Sequence, residues 1–151
     1  MDSAPSAQSL RLCTEHVRAG SVARLADTVR AAPRDLGRLG ESVARRHLES
    51  LGMRMIAQNV RTRYGEVDLV CRVAGELVFV EVKTRVDGGA VAPLEAISSA
   101  KAARLIRLAE AYLMERQEAE VPWRIDVVAV LVDPTGRVIR ISHVPNAVGG
   151  C

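Results

Sequence analysis

Glu81 and Lys83 are two residues apart in the apolar run Leu77–Thr84. Strand side chains alternate faces with period two, so this pair shares a face with Leu77 and Phe79, while Val78, Val80 and Val82 point the other way. A Glu and a Lys on an otherwise apolar strand are costly to bury without partners. Upstream, Glu66 and Asp68 lie in a second strand-like run, joined to the first through Ala74-Gly75. A two-residue turn there pairs Val73 with Glu76, and the same register sets Asp68 opposite Glu81 and Glu66 opposite Lys83. Directly opposed residues have Cβ atoms roughly 4.5–5.5 Å apart. Two carboxylates at that separation repel, and a divalent cation removes the conflict. Oxygen ligands so placed suit Mg²⁺ or Mn²⁺, with the Val82 carbonyl as a further donor. Lys83 would then lie beside the metal and a scissile phosphate, orient the attacking water and stabilise transition-state charge. The chemistry implied is metal-assisted phosphodiester hydrolysis.

Glu41 is the fourth carboxylate of interest. It stands at the edge of an apolar stripe formed by Leu39, Val43, His47, Leu48 and Leu51, which repeats at helical spacing up to the Gly52 stop. From there it could reach the sheet face and bind a second metal or a metal-bound water. Alternatively it is a first-turn glutamate interacting with its own helix N-terminus.

The elements that must hold these groups follow from patterning. A helix is expected at about 36–51, then a strand over Met53–Val60 and a basic loop, Arg61-Thr62-Arg63-Tyr64-Gly65. Strands Glu66–Val73 and Glu76–Thr84 come next, then a flexible Asp87-Gly88-Gly89 loop. Pro93 precedes a long helix at about 94–118, and Trp123–Val132 and Arg137–His143 form the last two strands. The order αβββαββ is an α/β domain with a mixed sheet flanked by helices. Residues 1–34 read as a weakly structured tail holding at most a short helix around Leu25 and Val29 that Pro33 ends, 35–145 as the domain, and 146–151 as a C-terminal tail.

The 151 residues suit one self-sufficient core, and a net charge of +3 permits a nucleic-acid partner without requiring one. The cysteines Cys13, Cys71 and Cys151 form no pairable framework, which points to a reducing, cytoplasmic setting. No apolar run reaches a membrane span, and the N-terminus lacks a signal-peptide core. Of 21 basic residues only Lys83 and Lys101 are lysine. With only four aromatic residues, a stacking platform for single strands is not expected.

The strings Leu39-Gly40-Glu41, Asn59-Val60-Arg61, Tyr64-Gly65-Glu66-Val67-Asp68-Leu69-Val70 and Phe79-Val80-Glu81-Val82-Lys83-Thr84-Arg85 resemble the YraN-like family of bacterial proteins. Lys101, Leu105 and Arg124-Ile125-Asp126-Val127-Val128 continue the similarity, which covers about residues 36–143. That family is placed in the PD-(D/E)XK nuclease superfamily, similar in plan to archaeal Holliday-junction resolvases. The resemblance implies a restriction-endonuclease-like fold and a metal-dependent DNA nuclease acting on branched or structured DNA. It makes Glu41 the helix carboxylate, Asp68 the metal-binding aspartate, and Glu81 and Lys83 the E-x-K pair. Val67, not proline, precedes Asp68, a common departure. A homodimer is expected, because resolving a branch requires two cuts. The alternative is a nucleic-acid-binding accessory protein that does not cleave, and a nuclease acting on RNA is a further rival.

Arg61, Arg63 and Arg85 flank the site and are the expected phosphate contacts, joined by Lys101 on the long helix. Lys101, Arg104 and Arg107 share one helix face, either against a phosphate backbone or solvated. Tyr64 could stack on a base or pack its own loop. Asp126 reads as a structural partner of an arginine, and Cys71 as a core residue on the face of Val67 and Leu69.

Overall fold

The computed structural model describes residues 33–87 and 97–148. Helix α1 (Pro33–Ser50) leads into β1 (Arg54–Thr62), β2 (Gly65–Val73) and β3 (Glu76–Val86); α2 (Ser99–Glu115) then crosses to β4 (Trp123–Val132) and β5 (Val138–Val144). The expected α/β order is therefore present, with a mixed five-stranded sheet in the order β1-β2-β3-β4-β5. Neighbours are antiparallel except β3 and β4, which run parallel. A parallel pair cannot be joined by a tight turn, and α2 lies in that crossover. β3 and β4 are covered on both sides. This explains why Leu77–Val80 and Val127–Val132 read as continuous apolar runs rather than alternating ones.

Two cores flank the sheet. On one face Val43, Ala44 and Leu48 of α1 pack on Leu69, Cys71, Val78, Val80, Val128 and Val130. On the other, Leu105, Leu108 and Tyr112 of α2 pack on Val70, Leu77, Phe79 and Ile125. The ring of Phe79 meets Tyr112 and Trp123 edge-on, with centroids 5.4 and 5.9 Å away.

Element ends differ from expectation for identifiable reasons. Pro33 stands at the start of α1, where a missing N–H is harmless in the first turn. The tail helix expected around Leu25 and Val29 lies outside the described residues, as do Gly88, Gly89, Pro93 and the first residues expected of the long helix. That helix has its N-cap at Ser98, whose hydroxyl accepts the Lys101 N–H at 3.2 Å. At the other end of α1, Gly52 (φ +85°) lets Met53 N–H reach the Leu48 carbonyl, and the helix stops before Leu51 can join its stripe, so Leu51 is 40% exposed. The expected basic loop is a short turn at Arg63-Tyr64, with Arg61 and Thr62 still in β1. Residues 146–148 are packed, since Ala147 N–H bonds the Ile125 carbonyl and Val148 is 7% exposed. Among the described residues no helix is long and apolar enough to cross a membrane.

Candidate metal and phosphate site

The β2–β3 hairpin turns at Ala74 (φ +48°) and Gly75 (φ +80°), and its ladder runs from Val73↔Glu76 to Leu69↔Val80 in the expected register. It stops there. The backbone pairs expected at Asp68–Glu81 and Glu66–Lys83 do not form, and Glu66 pairs with Arg61 at 3.2 Å instead. The cause lies in β1 and β2 together. Val60 and Val67 are paired and pack on the α2 side, whereas Leu69 and Cys71 pack on the α1 side. The face alternation therefore slips by one residue between Val67 and Leu69. Cys71 is a core residue as expected, but it does not share a face with Val67. Asn59, between the pairs Gln58↔Leu69 and Val60↔Val67, has φ +48°, a conformation asparagine tolerates better than most residues.

Asp68 sits at this slip. Its Oδ2 accepts the Val82 N–H at 2.7 Å, replacing the backbone acceptor that the ended ladder no longer supplies. The aspartate is thus fixed against the segment that carries Glu81 and Lys83. Its surroundings disfavour charge. Burial pushes the Asp68 carboxyl up to about 7; the Val82 N–H offsets part of this, while Glu81, Glu41 and Glu66 add repulsion.

Glu41 is drawn in by close helix packing. A Cβ on Gly40 would stand 1.8 Å from Thr84 Oγ1 and 3.0 Å from Thr84 Cβ, so only glycine lets α1 approach β3 this closely. Glu41, the next residue, lies within reach of the Asn59 amide. Turned to satisfy both carboxylates, that amide donates to Glu66 Oε1 at 3.1 Å and to Glu41 Oε2 at 3.3 Å.

Glu81, Val82, Lys83 and Arg85 line a cleft of about 360 Å³ together with Ser98 and Lys101 from the start of α2. Lys101 does not point free toward a phosphate. Its Nζ holds Glu81 Oε1 at 2.5 Å, with both side chains mostly covered. Lys83 makes no ion pair with any described residue. Arg85 is exposed beside the cleft, and Arg104 Nη1 lies over Gly65 in the β1–β2 hairpin. Arg61 and Arg63 are exposed at that hairpin's tip, and Arg63 covers the Tyr64 ring at 4.8 Å. Tyr64 itself is partly buried against the α2-side core.

The donor set suits a hard cation in kind, being carboxylates with the Val82 carbonyl beside them. Among the described residues, no three His, Cys, Asp or Glu groups already converge as a cage. A cation here would bind through Asp68 and Glu81 and complete its shell with water and substrate, the usual habit of Mg²⁺.

A second acidic centre lies on the α1 face of β4 and β5. Asp126 is fully buried, accepting Arg124 Nε and Asn146 N–H at 2.9 Å and lying 2.8 Å from His143 Nε2. Arg124 also binds Glu76 at 2.8 Å. Burial alone would raise the Asp126 carboxyl, but the bonds from His143, Arg124 and Asn146 outweigh it and hold it below its usual range. Asp126 is the structural partner of an arginine, as expected. The His143 contribution was not legible, since the two residues meet only when β5 pairs with β4. Asn59 was also missed as a site residue, although an asparagine inside a strand is itself a signal. Cys71 is inert, its thiol pushed up to about 12 by burial.

A family model described as Uncharacterised protein family UPF0102 matches residues 40–130. The chain is 47% identical over 117 residues to a UPF0102 protein of Chloroflexus aurantiacus, covering 77% of this chain and 94% of that protein. It is 46% identical over 114 residues to one of Symbiobacterium thermophilum (76% and 96%) and 43% identical over 114 residues to one of Roseiflexus castenholzii (75% and 92%). The chain belongs to the UPF0102 family, the YraN-like family its motifs resemble.

Proposed function

We propose that this UPF0102 protein is a Mg²⁺- or Mn²⁺-dependent endonuclease of the restriction-endonuclease-like kind, hydrolysing phosphodiester bonds in branched or structured DNA. The observation that carries the reading is Asp68: a carboxylate tied to the Val82 N–H between Glu81 and Lys83, crowded by Glu81, Glu41 and Glu66 and paired with no cation among the described residues. A structural aspartate is normally satisfied by cations or donors, as Asp126 is.

Asp68 and Glu81 hold the cation, the Val82 carbonyl is a further donor, and Glu41 reaches the same centre from α1. When bound, such an ion polarises a phosphoryl oxygen and makes water more acidic. Lys83 lines the cleft with no ion pair to a described residue, and its ammonium orients the attacking water and balances charge growing on the phosphate. Arg85 and the hairpin arginines Arg61 and Arg63 receive the flanking phosphates, with Arg104 on α2 beside them. These contacts are to backbone and carry no sequence information, which fits recognition by DNA shape. The branched preference, and assembly as a homodimer so that two strands are cut, come from the superfamily resemblance.

The test is cleavage of labelled linear, single-stranded, flap and four-way-junction DNAs with Mg²⁺, Mn²⁺ or EDTA, comparing wild type with Lys83→Ala. Metal-dependent cutting that the variant loses is expected. No cutting, with equal metal-independent DNA binding by both proteins, would favour the accessory-protein alternative.

A further inference from the structure

We propose that Lys101 supplies the second cation of this site, so that the centre takes one divalent ion where related chemistry uses two. The inference rests on the metal-dependent reading above and concerns its stoichiometry. Hydrolytic sites with two metals place two positive centres about 3.5–4 Å apart around shared carboxylates. Here one positive centre comes from the chain: Lys101 Nζ lies 2.5 Å from Glu81 Oε1. That leaves Glu81's other oxygen, together with Asp68, for an ion from solution.

Three observations set this pair apart from an ordinary ion pair. Glu81 and Lys101 are well covered, with side chains 14% and 28% exposed, so the contact is not a solvated surface bridge. Lys101 occupies the first turn of α2, where the helix dipole disfavours a cation, and that turn has no acidic residue to compensate. Its backbone N–H is nevertheless locked by the Ser98 cap, which fixes where its stem departs. Its position therefore serves Glu81 rather than the helix. Finally, the chain's only lysines, Lys83 and Lys101, both line this cleft, whereas the other ion pairs of the described residues use arginine or histidine. An ammonium is a compact point charge, closer to a metal ion in shape than the planar guanidinium fork.

Titration of the full chain with Mn²⁺, reading free ion by electron paramagnetic resonance, tests this without reference to cleavage. Wild type is expected to bind one ion. Lys101→Met, which keeps the stem and removes the charge, is expected to bind two, and Lys101→Arg, which restores a cation, one. Circular dichroism melts verify that each variant is folded, and Lys101→Gln serves if the methionine variant is not. Two ions in wild type, or one in both neutral variants, overturns the inference and leaves the metal-dependent reading intact. No ion bound by any of the proteins overturns both.

Discussion

Asp68 and Asp126 are both withdrawn from water on one sheet, and burial alone would raise both. They end in opposite states. Asp126 is enclosed by Arg124, His143 and the Asn146 N–H, and its carboxyl is held low. Asp68 has one backbone donor and three acidic neighbours, and its carboxyl is pushed up to about 7. The first arrangement is complete within the chain. The second has no cation paired with it among the described residues, where Lys101 pairs instead with its neighbour Glu81. The difference separates a polar cluster satisfied within the fold from one that, on the proposed reading, takes a metal ion.

Breaking the complete cluster should have the largest effect on stability. Asp126→Ala leaves the half-buried Arg124 with only Glu76, opens a void in the core and leaves His143 without its carboxylate. A loss of about 3–5 kcal/mol, read as a lowered denaturant midpoint, is expected. Asp68→Asn should do the reverse at neutral pH. It removes a charge that its neighbours repel, and the variant should be at least as stable as wild type without added metal. A destabilisation like that of Asp126→Ala would erase the distinction.

The pH dependence should separate them next. Asp68 binds its proton more tightly folded, at about 7, than unfolded, at 3.8. The native state therefore holds the extra proton between those values, and stability falls as pH rises through that window. Asp68→Asn should gain on wild type there by on the order of 1–3 kcal/mol. Asp126 has the opposite sign. Its folded value lies below 3.8, so its stabilisation is present above that pH and is lost as pH falls through the lower folded value. Melting temperatures from pH 3 to 8 in wild type, Asp68→Asn and Asp126→Asn, each variant plotted as its difference from wild type, check both signs.

A smaller effect is expected at the helix contact that brings Glu41 to the site. Gly40→Ala puts a methyl into Thr84 and must move α1 outward. A loss of about 1–3 kcal/mol is expected, with weaker Mn²⁺ binding than the stability change alone would give. Pairing it with Thr84→Ala should restore part of both.

Much of this was legible in the sequence, because local rules sufficed. The Ala74-Gly75 turn fixed a register that holds from Val73 to Leu69. The apolar run Trp123–Val132 marked a strand covered on both faces, and the period of α1 located its core stripe. The slip at Asn59 and Asp68 was not legible, because strict alternation carries no sign of where two paired strands change phase together. Nor was the Lys101–Glu81 contact, which depends on how the crossover lays α2 over β3. The carboxylates singled out do gather around Asp68, and the geometry between them came from long-range packing.

The most direct measurement is the anomalous difference map of a crystal soaked in Mn²⁺. The account predicts a peak bridging Asp68 and Glu81 and none between Asp126 and His143. A peak at Asp126 and His143, or none at Asp68 in a crystal that leaves the cleft open to solvent, would contradict it.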